Sequence, residues 1–126
     1  MSLAKFFIPK HQLSFIKELS KGEEGQFFID KMKELEKIFE TMPKVYEQDG
    51  KGNEAVAYLH YFGNGWHWYI TERDTSNEQI QAFGLVYGFE RELGYISINE
   101  MLNIGAVEID LHFTPKTLRE IKKEQG

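Results

Sequence analysis

The chain of 126 residues contains no cysteine, only three prolines and no long apolar run. The absence of cysteine excludes disulfides, thiolate zinc sites, iron–sulfur clusters and cysteine nucleophiles. No stretch approaches the roughly 18 uncharged apolar residues of a membrane-spanning helix. Residues 1–9 also lack the order of a secretory signal, which is basic, then apolar, then small. We therefore expect a cytoplasmic protein that does not enter a membrane.

Basic side chains are scarce in the centre of the chain. The net charge is −5, and residues 41–113 carry 4 basic and 11 acidic side chains. Nucleic-acid binders present a basic face that releases counterions from phosphates. Direct nucleic-acid binding is therefore disfavoured, and a protein partner is the expectation. An acidic nucleic-acid mimic is an alternative that rests on charge alone.

The apolar content is sufficient for one core. The chain is 41% hydrophobic and 14% aromatic, and a chain of this length can bury about two-thirds of its unfolded surface. We predict one domain over residues 1–126. Apolar residues recur with helical spacing in residues 10–21 and 26–42. Residues 1–42 are therefore predicted to be a helical pair that covers a sheet.

Strand-like segments dominate residues 43–126. Aromatic and β-branched residues are concentrated in residues 55–62, 66–72, 79–87 and 93–98, and residues 107–113 alternate between apolar and polar. Gly63-Asn64-Gly65 suits a three-residue hairpin loop. A capping box at Ser97 and Glu100 starts a short helix that Gly105 can end, and Thr114-Pro115 starts a terminal helix. The fold class is α+β, with a mainly antiparallel sheet of about five strands packed against N-terminal and C-terminal helices.

Three groups of motifs in residues 43–120 resemble a known family. The motifs are Trp68-Tyr69-Ile70-Thr71-Glu72 with Asp74, Phe83-Gly84-Leu85-Val86 followed by Gly88-Phe89-Glu90 and Glu92-Leu93-Gly94-Tyr95-Ile96-Ser97 with Glu100, and Glu108 followed by Asp110-Leu111-His112-Phe113 and Pro115-Lys116-Thr117-Leu118. Together they resemble the uncharacterised bacterial family called domain of unknown function 2958. The chain departs from the family in a shorter segment between Glu100 and Glu108, and in Ile109, where an arginine is common.

The resemblance implies a context rather than a reaction. Members of the family are carried by plasmids, phages and integrating elements, sometimes fused to replication or antirestriction modules. The expectation is an accessory protein of a bacterial mobile element, most simply a non-enzymatic, protein-binding one. Residues 1–42 lie outside the resemblance.

One polar strand face could carry chemistry. If residues 107–113 are extended, Glu108, Asp110 and His112 point to one side, where they could bind a divalent metal. Asp110 and His112 could also act as an acid–base pair, with Glu72 contributing. The alternative function is therefore a small metal-assisted hydrolase with Glu72, Asp110 and His112 as catalytic candidates. The same face could equally be solvated, with Asp110 holding the His112 ring.

Six residues are candidates for binding. Alternation places Glu72 on the apolar face of Trp66 and Trp68, where a buried carboxylate would need a partner. Asp74 lies at the end of the same strand, where it can hold a polar ligand or make a turn with residues 75–77. The aromatic side chains suit a core or a partner surface, and His60 and His67 among them are expected to be ring-packed and hydrogen-bonded. Glu92 and Tyr95, in the most distinctive motif, complete the set: Trp66, Trp68, Glu72, Asp74, Glu92, Tyr95.

Overall fold

The computed structural model describes residues 3–74 and 80–125. It confirms an α+β fold in which five strands form an antiparallel sheet of order β5-β4-β3-β2-β6. The helices are α1 (Ala4–Phe7), α2 (Lys10–Leu19), α3 (Gly25–Thr41), α4 (Ile98–Leu102) and α5 (Leu118–Gln125). The strands are β1 (Val56–Ala57), β2 (Leu59–Gly63), β3 (Trp66–Arg73), β4 (Gln81–Tyr87), β5 (Arg91–Ser97), β6 (Glu108–Ile109) and β7 (Lys116–Thr117). Within the described residues, no helix is both long enough and apolar enough to span a bilayer.

One face of the sheet, here called the helix side, carries the larger core. Ile16 of α2 is buried in this core together with Leu35 and Phe39 of α3. They belong to the same cluster as strand residues such as Tyr61 and Ile70. Phe39 stacks on Phe7 of the short helix α1 at 4.5 Å between ring centroids. The N-terminal helices therefore cover the sheet, as predicted. The short helix α1 was not predicted from the sequence pattern.

The opposite face, here called the far side, carries a smaller core beneath α5. Leu118 and Ile121 of this helix pack with Tyr69, Leu85 and Ala57. The predicted strand over residues 55–62 is divided at Tyr58, because β1 pairs with β7 in a separate two-stranded sheet while β2 pairs with β3. The division allows the second sheet and α5 to cover the far side.

A bulge in β3 exchanges the two faces near the end of the strand. Ile70 pairs with Gly84, but the next pair is Glu72 with Phe83, so Thr71 is the inserted residue. One extra residue reverses the alternation that follows it. The prediction that Glu72 shares the face of Trp66, Trp68 and Ile70 is therefore wrong, and Glu72 lies on the far side.

The bulge also places Arg73 in the core of the helix side. Its Nε donates to the carbonyl oxygen of Phe39 at 2.7 Å, and its guanidinium lies over the Phe7 ring. Desolvation by burial lowers the pKa of Arg73, and Asp74 opposes this effect. This hydrogen bond connects the end of β3 to the end of α3.

The segment after Val107 does not form the predicted strand over residues 107–113. β6 ends at Ile109, and the chain turns at residues 111–112. The turn forms because the Asp110 carboxylate accepts a hydrogen bond from the His112 backbone N–H at 2.9 Å. The short strand is held on its outer side by Gln12, whose amide donates to the carbonyl oxygen of Ile109 and accepts from its N–H.

The predicted turns and caps are right in some places and displaced in others. Ser97 caps α4 by accepting from the Glu100 N–H, as predicted, but the helix ends at Leu102 before Gly105. The β2–β3 connection has two residues, Asn64 and Gly65, both with positive φ. The terminal helix starts at Leu118, where Thr117 accepts from the Glu120 N–H, rather than after Thr114. The turn predicted over residues 75–77 and the strand start predicted at Gln79 lie outside the described residues.

Two glycines that face each other across β4 and β5 offer a test of the packing. A Cβ on Gly84 would lie 2.0 Å from the backbone oxygen of Tyr69, whereas a Cβ on Gly94 would meet nothing within 4 Å. We expect Gly84→Ala to lower the free energy of unfolding by about 1–3 kcal/mol or more, because backbone must move to accommodate the methyl group. Gly94→Ala is the matched control and should change stability little. Urea denaturation of both variants measures the difference, and equal effects would contradict the described packing.

Candidate functional site

Strand β5 is an open edge of the main sheet. In the described residues it pairs with β4 alone, over seven residue pairs from Gln81↔Ser97 to Tyr87↔Arg91. Edge strands are usually blunted by charge, proline or shortness. Here the charged residues are limited to the first two positions, and Leu93 and Tyr95 expose 49% and 59% of their surface.

On the helix side of β5 lies an apolar groove of about 550 Å³ between the sheet and α4. We call it the α4 groove. Three of the predicted binding residues, Trp66, Trp68 and Tyr95, line it. The other lining residues include Val86, Ile96, Met101 and Ile104, with Glu100 at the border. The two tryptophan rings stack on each other at 5.9 Å, and Phe89, exposed over 96% of its surface, contacts Trp66 edge-on.

On the far side of β5 lies a second cavity of about 400 Å³, which we call the Glu72 pocket. The residues that line it include Tyr46, Asp49, Glu72, Phe83, Leu93 and Tyr95. Glu72, Phe83 and Tyr95 are direct cross-strand neighbours on β3, β4 and β5, so one row of side chains crosses the pocket. The bulge in β3 creates this row because it turns Glu72 to the far side.

The Glu72 carboxylate is buried and weakly bonded. The residue is 5% exposed. The Gln48 N–H donates to it at 3.5 Å and the Thr71 hydroxyl at 3.4 Å. The Thr71 hydroxyl has one proton, and it has a shorter contact of 3.0 Å with the Phe83 carbonyl oxygen. The carboxylate therefore retains capacity to accept hydrogen bonds from a ligand.

The segment between α3 and β1 forms the wall of the pocket opposite β5. Gln48 anchors this segment, since its amide donates to the carbonyl oxygens of Val56 and Thr71 and accepts from the Val56 N–H. Tyr46 has a φ of 80°, which is unfavourable for a bulky side chain, and it is 71% exposed. Such strain is concentrated at functional sites in many proteins.

Tyr46 and Tyr95 meet across the pocket mouth. The Tyr95 hydroxyl donates to the Tyr46 hydroxyl at 3.0 Å, and the Tyr95 ring contacts Phe83 edge-on. The hydrogen bond to Tyr46, and to a smaller extent the negative charges of Asp49 and Glu72, raise the pKa of Tyr95. Tyr95 is therefore a neutral hydrogen-bonding group at ordinary pH rather than an acid poised to titrate.

Two binding candidates remain, Asp74 directly after β3 and Glu92 on the edge strand β5. Asp74 lines a third cleft with Lys44, Gln81 and Tyr95, and its backbone N–H donates to Gln81 at 2.7 Å. Glu92 is exposed near the start of β5. Five of the six predicted binding residues thus lie on β3 or β5, and Asp74 directly follows β3. Trp66 and Trp68 face the helix side, whereas Glu72 faces the far side.

The three residues of the predicted metal face are dispersed. Glu108 lies 3.9 Å from His11, the Asp110 carboxylate contacts His60, and the His112 ring contacts Phe27. Glu72 has other partners, Gln48 and Thr71. The prediction that Glu108, Asp110 and His112 share one strand face is therefore wrong. The turn after Asp110 ends the alternation on which that prediction depended. Among the described residues, no group of three or more His, Asp or Glu side chains is placed to hold a metal ion.

Asp110 instead belongs to a histidine stack on the far side. His60 Nδ1 lies 2.9 Å from the Asp110 carboxylate, and His60 Nε2 lies 2.9 Å from His67 Nδ1. Tyr69 stacks on His60 at 4.4 Å between ring centroids. This confirms that both histidines are ring-packed and hydrogen-bonded. Sequence reasoning did not pair them with Asp110, because the β2–β6 contact that joins them is remote in sequence.

Comparison of the chain with protein-family models, curated proteins and solved structures gave no match. The resemblance to domain of unknown function 2958 therefore stays a prediction from the motifs.

The histidine stack predicts a pH dependence of stability. Desolvation lowers the pKa of His60 below its ordinary value of 6.5, and this effect outweighs the opposing interaction with Asp110. Since the unfolded chain takes up the proton more readily than the folded one, stability falls as pH drops below about 6.5. His60→Gln should reduce the fall in Tm between about pH 7.5 and 5.5.

The control for this measurement is His11→Gln, since the His11 side chain is 55% exposed. The change of slope in His60→Gln is judged against the change in this variant. An unchanged slope in His60→Gln would show that the stack does not resist protonation.

Proposed function

We propose that this chain is a non-enzymatic, protein-binding accessory protein that holds an extended segment of a partner by strand addition to β5. In this mode of recognition, backbone hydrogen bonds supply affinity and alternate side chains enter pockets on the two faces of the sheet. The observation that carries the proposal is an open edge strand with a cavity beside it on each face.

The length and composition of β5 support the proposal. It offers seven residues to a partner strand, and the last five carry no charge. Gly94 lies in the middle with open space where a side chain would be, so a second backbone can approach closely. Leu93 and Tyr95 provide exposed apolar surface on the far side. Exposed apolar edges of this kind promote association with another chain.

The two cavities match the geometry of an added strand. Successive side chains of a strand point to opposite faces. A strand beside β5 would therefore direct alternate side chains toward the α4 groove and toward the Glu72 pocket. The α4 groove offers two indole rings and aliphatic walls, and the Glu72 pocket offers aromatic walls around a carboxylate.

Charge complementarity indicates the chemistry of the partner. Glu100 borders the α4 groove, and Asp49 and Glu72 line the Glu72 pocket. Among the described residues that line these two cavities, there is no Lys, Arg or His. An extended segment that alternates apolar and basic side chains suits such a surface.

A second copy of the chain suits the surface less well. In an association of two β5 strands, the second copy would bring one cation, Arg91, and beside it a further carboxylate, Glu92, so it would add no net positive charge. The resemblance of residues 43–120 to a family carried by mobile elements supports a partner from that bacterial context. Both considerations favour a different protein as the occupant.

A lysine–valine alternating peptide with a fluorescent label tests the proposal. We expect saturable binding by fluorescence anisotropy and slower amide hydrogen exchange in residues 91–97, because the added strand satisfies backbone groups of β5. Two versions of the peptide should be N-methylated on alternate residues, one set on each edge of the strand. The version methylated on the edge that faces β5 should lose binding, and the other should keep it.

Leu93→Ala provides a matched variant, with Phe15→Ala as control. Both side chains are exposed, at 49% and 62%, but Phe15 lies on α2 away from β5. The first should weaken peptide binding several-fold, and the second should not. Equal binding of the two N-methylated peptides, protection outside β5, or dimerisation through β5 in place of peptide binding would refute the proposal.

A further inference from the structure

We propose that the segment docked on β5 carries an aromatic side chain opposite Gly94, and that this ring lies in the mouth of the α4 groove. The inference rests on the proposed function, and it adds the residue of the partner that determines register and specificity. It follows from three properties of the helix side of β5: a groove that reaches the sheet edge, a missing side chain at Gly94, and a distance that an aromatic ring can span.

The first property is the extent of the α4 groove. Tyr95, Ile96 and Ser97 are consecutive residues of β5, and all three line the groove. The groove therefore begins at the edge strand itself, one strand spacing of about 4.8 Å from a strand added beside β5. Trp66 and Trp68 lie on β3, two strands further in, and form the inner wall of the groove.

The second property is the gap at Gly94. Leu93 lines the Glu72 pocket on the far side, so Gly94 next to it faces the helix side. Its neighbours on that face of β5 are Glu92 and Ile96. Gly94 pairs with Gly84 on β4, and a Cβ on Gly94 would meet nothing within 4 Å. An added strand therefore faces uncovered backbone at this row, with side chains of β5 before and after it.

The third property is the fit of an aromatic ring to this gap. A ring opposite Gly94 can cover the glycine and reach the diagonal neighbour Ile96, which would lie about 7–8 Å away. Aromatic side chains stabilise edge glycines of designed sheets by the same kind of contact. The groove volume of about 550 Å³ is sufficient for such a ring. A valine at the same position is shorter and would leave more of the Gly94 backbone uncovered.

The experiment compares labelled peptides on the full chain. One is the lysine–valine alternating peptide, and in the other the central valine is replaced by phenylalanine. We expect the phenylalanine peptide to bind at least about fivefold more tightly by fluorescence anisotropy, because its ring buries more apolar surface against Gly94 and Ile96. A third peptide has isoleucine at the centre, which enlarges the apolar side chain without a ring. Its affinity should be closer to that of the valine peptide.

Nuclear Overhauser effects between peptide and protein locate the ring. We expect contacts from the phenylalanine ring to the Hα protons of Gly94 and to the methyl groups of Ile96. Contacts to the side chains of Leu93 and Tyr95 instead would place the ring on the far side and overturn the inference. This measurement uses the unaltered protein, so it does not depend on the folding of a variant.

A pair of neighbouring substitutions then assigns the preference to the gap. Gly94→Val fills it, and the open space around Gly94 and the strand propensity of valine favour a folded variant. This variant should bind the phenylalanine and valine peptides with equal affinity. Leu93→Ala changes the adjacent residue on the far side, so it should weaken both peptides and keep their ratio. Circular dichroism of Gly94→Val checks that the variant is folded.

The outcomes separate the two proposals. If the phenylalanine and valine peptides bind the unaltered chain equally, or if Gly94→Val keeps the preference, the aromatic contact at Gly94 is wrong and strand addition stands. If no peptide binds, or if binding slows hydrogen exchange only outside residues 91–97, strand addition is wrong and the aromatic contact fails with it.

Discussion

The insertion of Thr71 into β3 is the constraint on which the far side of the molecule depends. Without it, Glu72 would follow Ile70 into the core of the helix side, and Arg73 would point away from that core. With it, Arg73 bonds to the end of α3 and Glu72 enters the row with Phe83 and Tyr95. A single extra residue therefore determines both the contact of β3 with α3 and the position of Glu72 in the candidate site.

Much of the architecture is readable from the sequence because it depends on local patterns. The apolar spacing of α2 and α3, the Ser97 cap and the strand-forming character of β3, β4 and β5 are all encoded within short windows. The wrong predictions also have local causes, which are hydrogen bonds from backbone N–H groups to nearby side chains. Asp110 bonds to the backbone of His112 and stops a strand that its alternating neighbours favour. Thr117 with Glu120 competes successfully with Thr114 for the start of α5.

The candidate site is harder to predict from local sequence patterns. The sequence suggests Glu72 and Tyr95 as separate candidates, and their proximity depends on the register of three strands and on the bulge. Tyr46 and Gln48 lie in a segment for which the sequence pattern predicts neither helix nor strand. Their roles follow from long-range contacts, of Tyr46 with Tyr95 and of Gln48 with Val56 and Thr71. Register and long-range contact are properties of the assembled sheet, so no short window contains them.

The glutamine that flanks β6 has a consequence for how far association can extend. The Gln12 amide satisfies both backbone groups of Ile109 on the outer side of the sheet, much as a neighbouring strand would. One margin of the sheet is thus closed by a side chain while the β5 margin stays available. Growth into a continuous fibril needs two receptive margins on every subunit. In the described part of the chain, the main sheet has one such margin, so a strand added to β5 would extend this sheet once and no further.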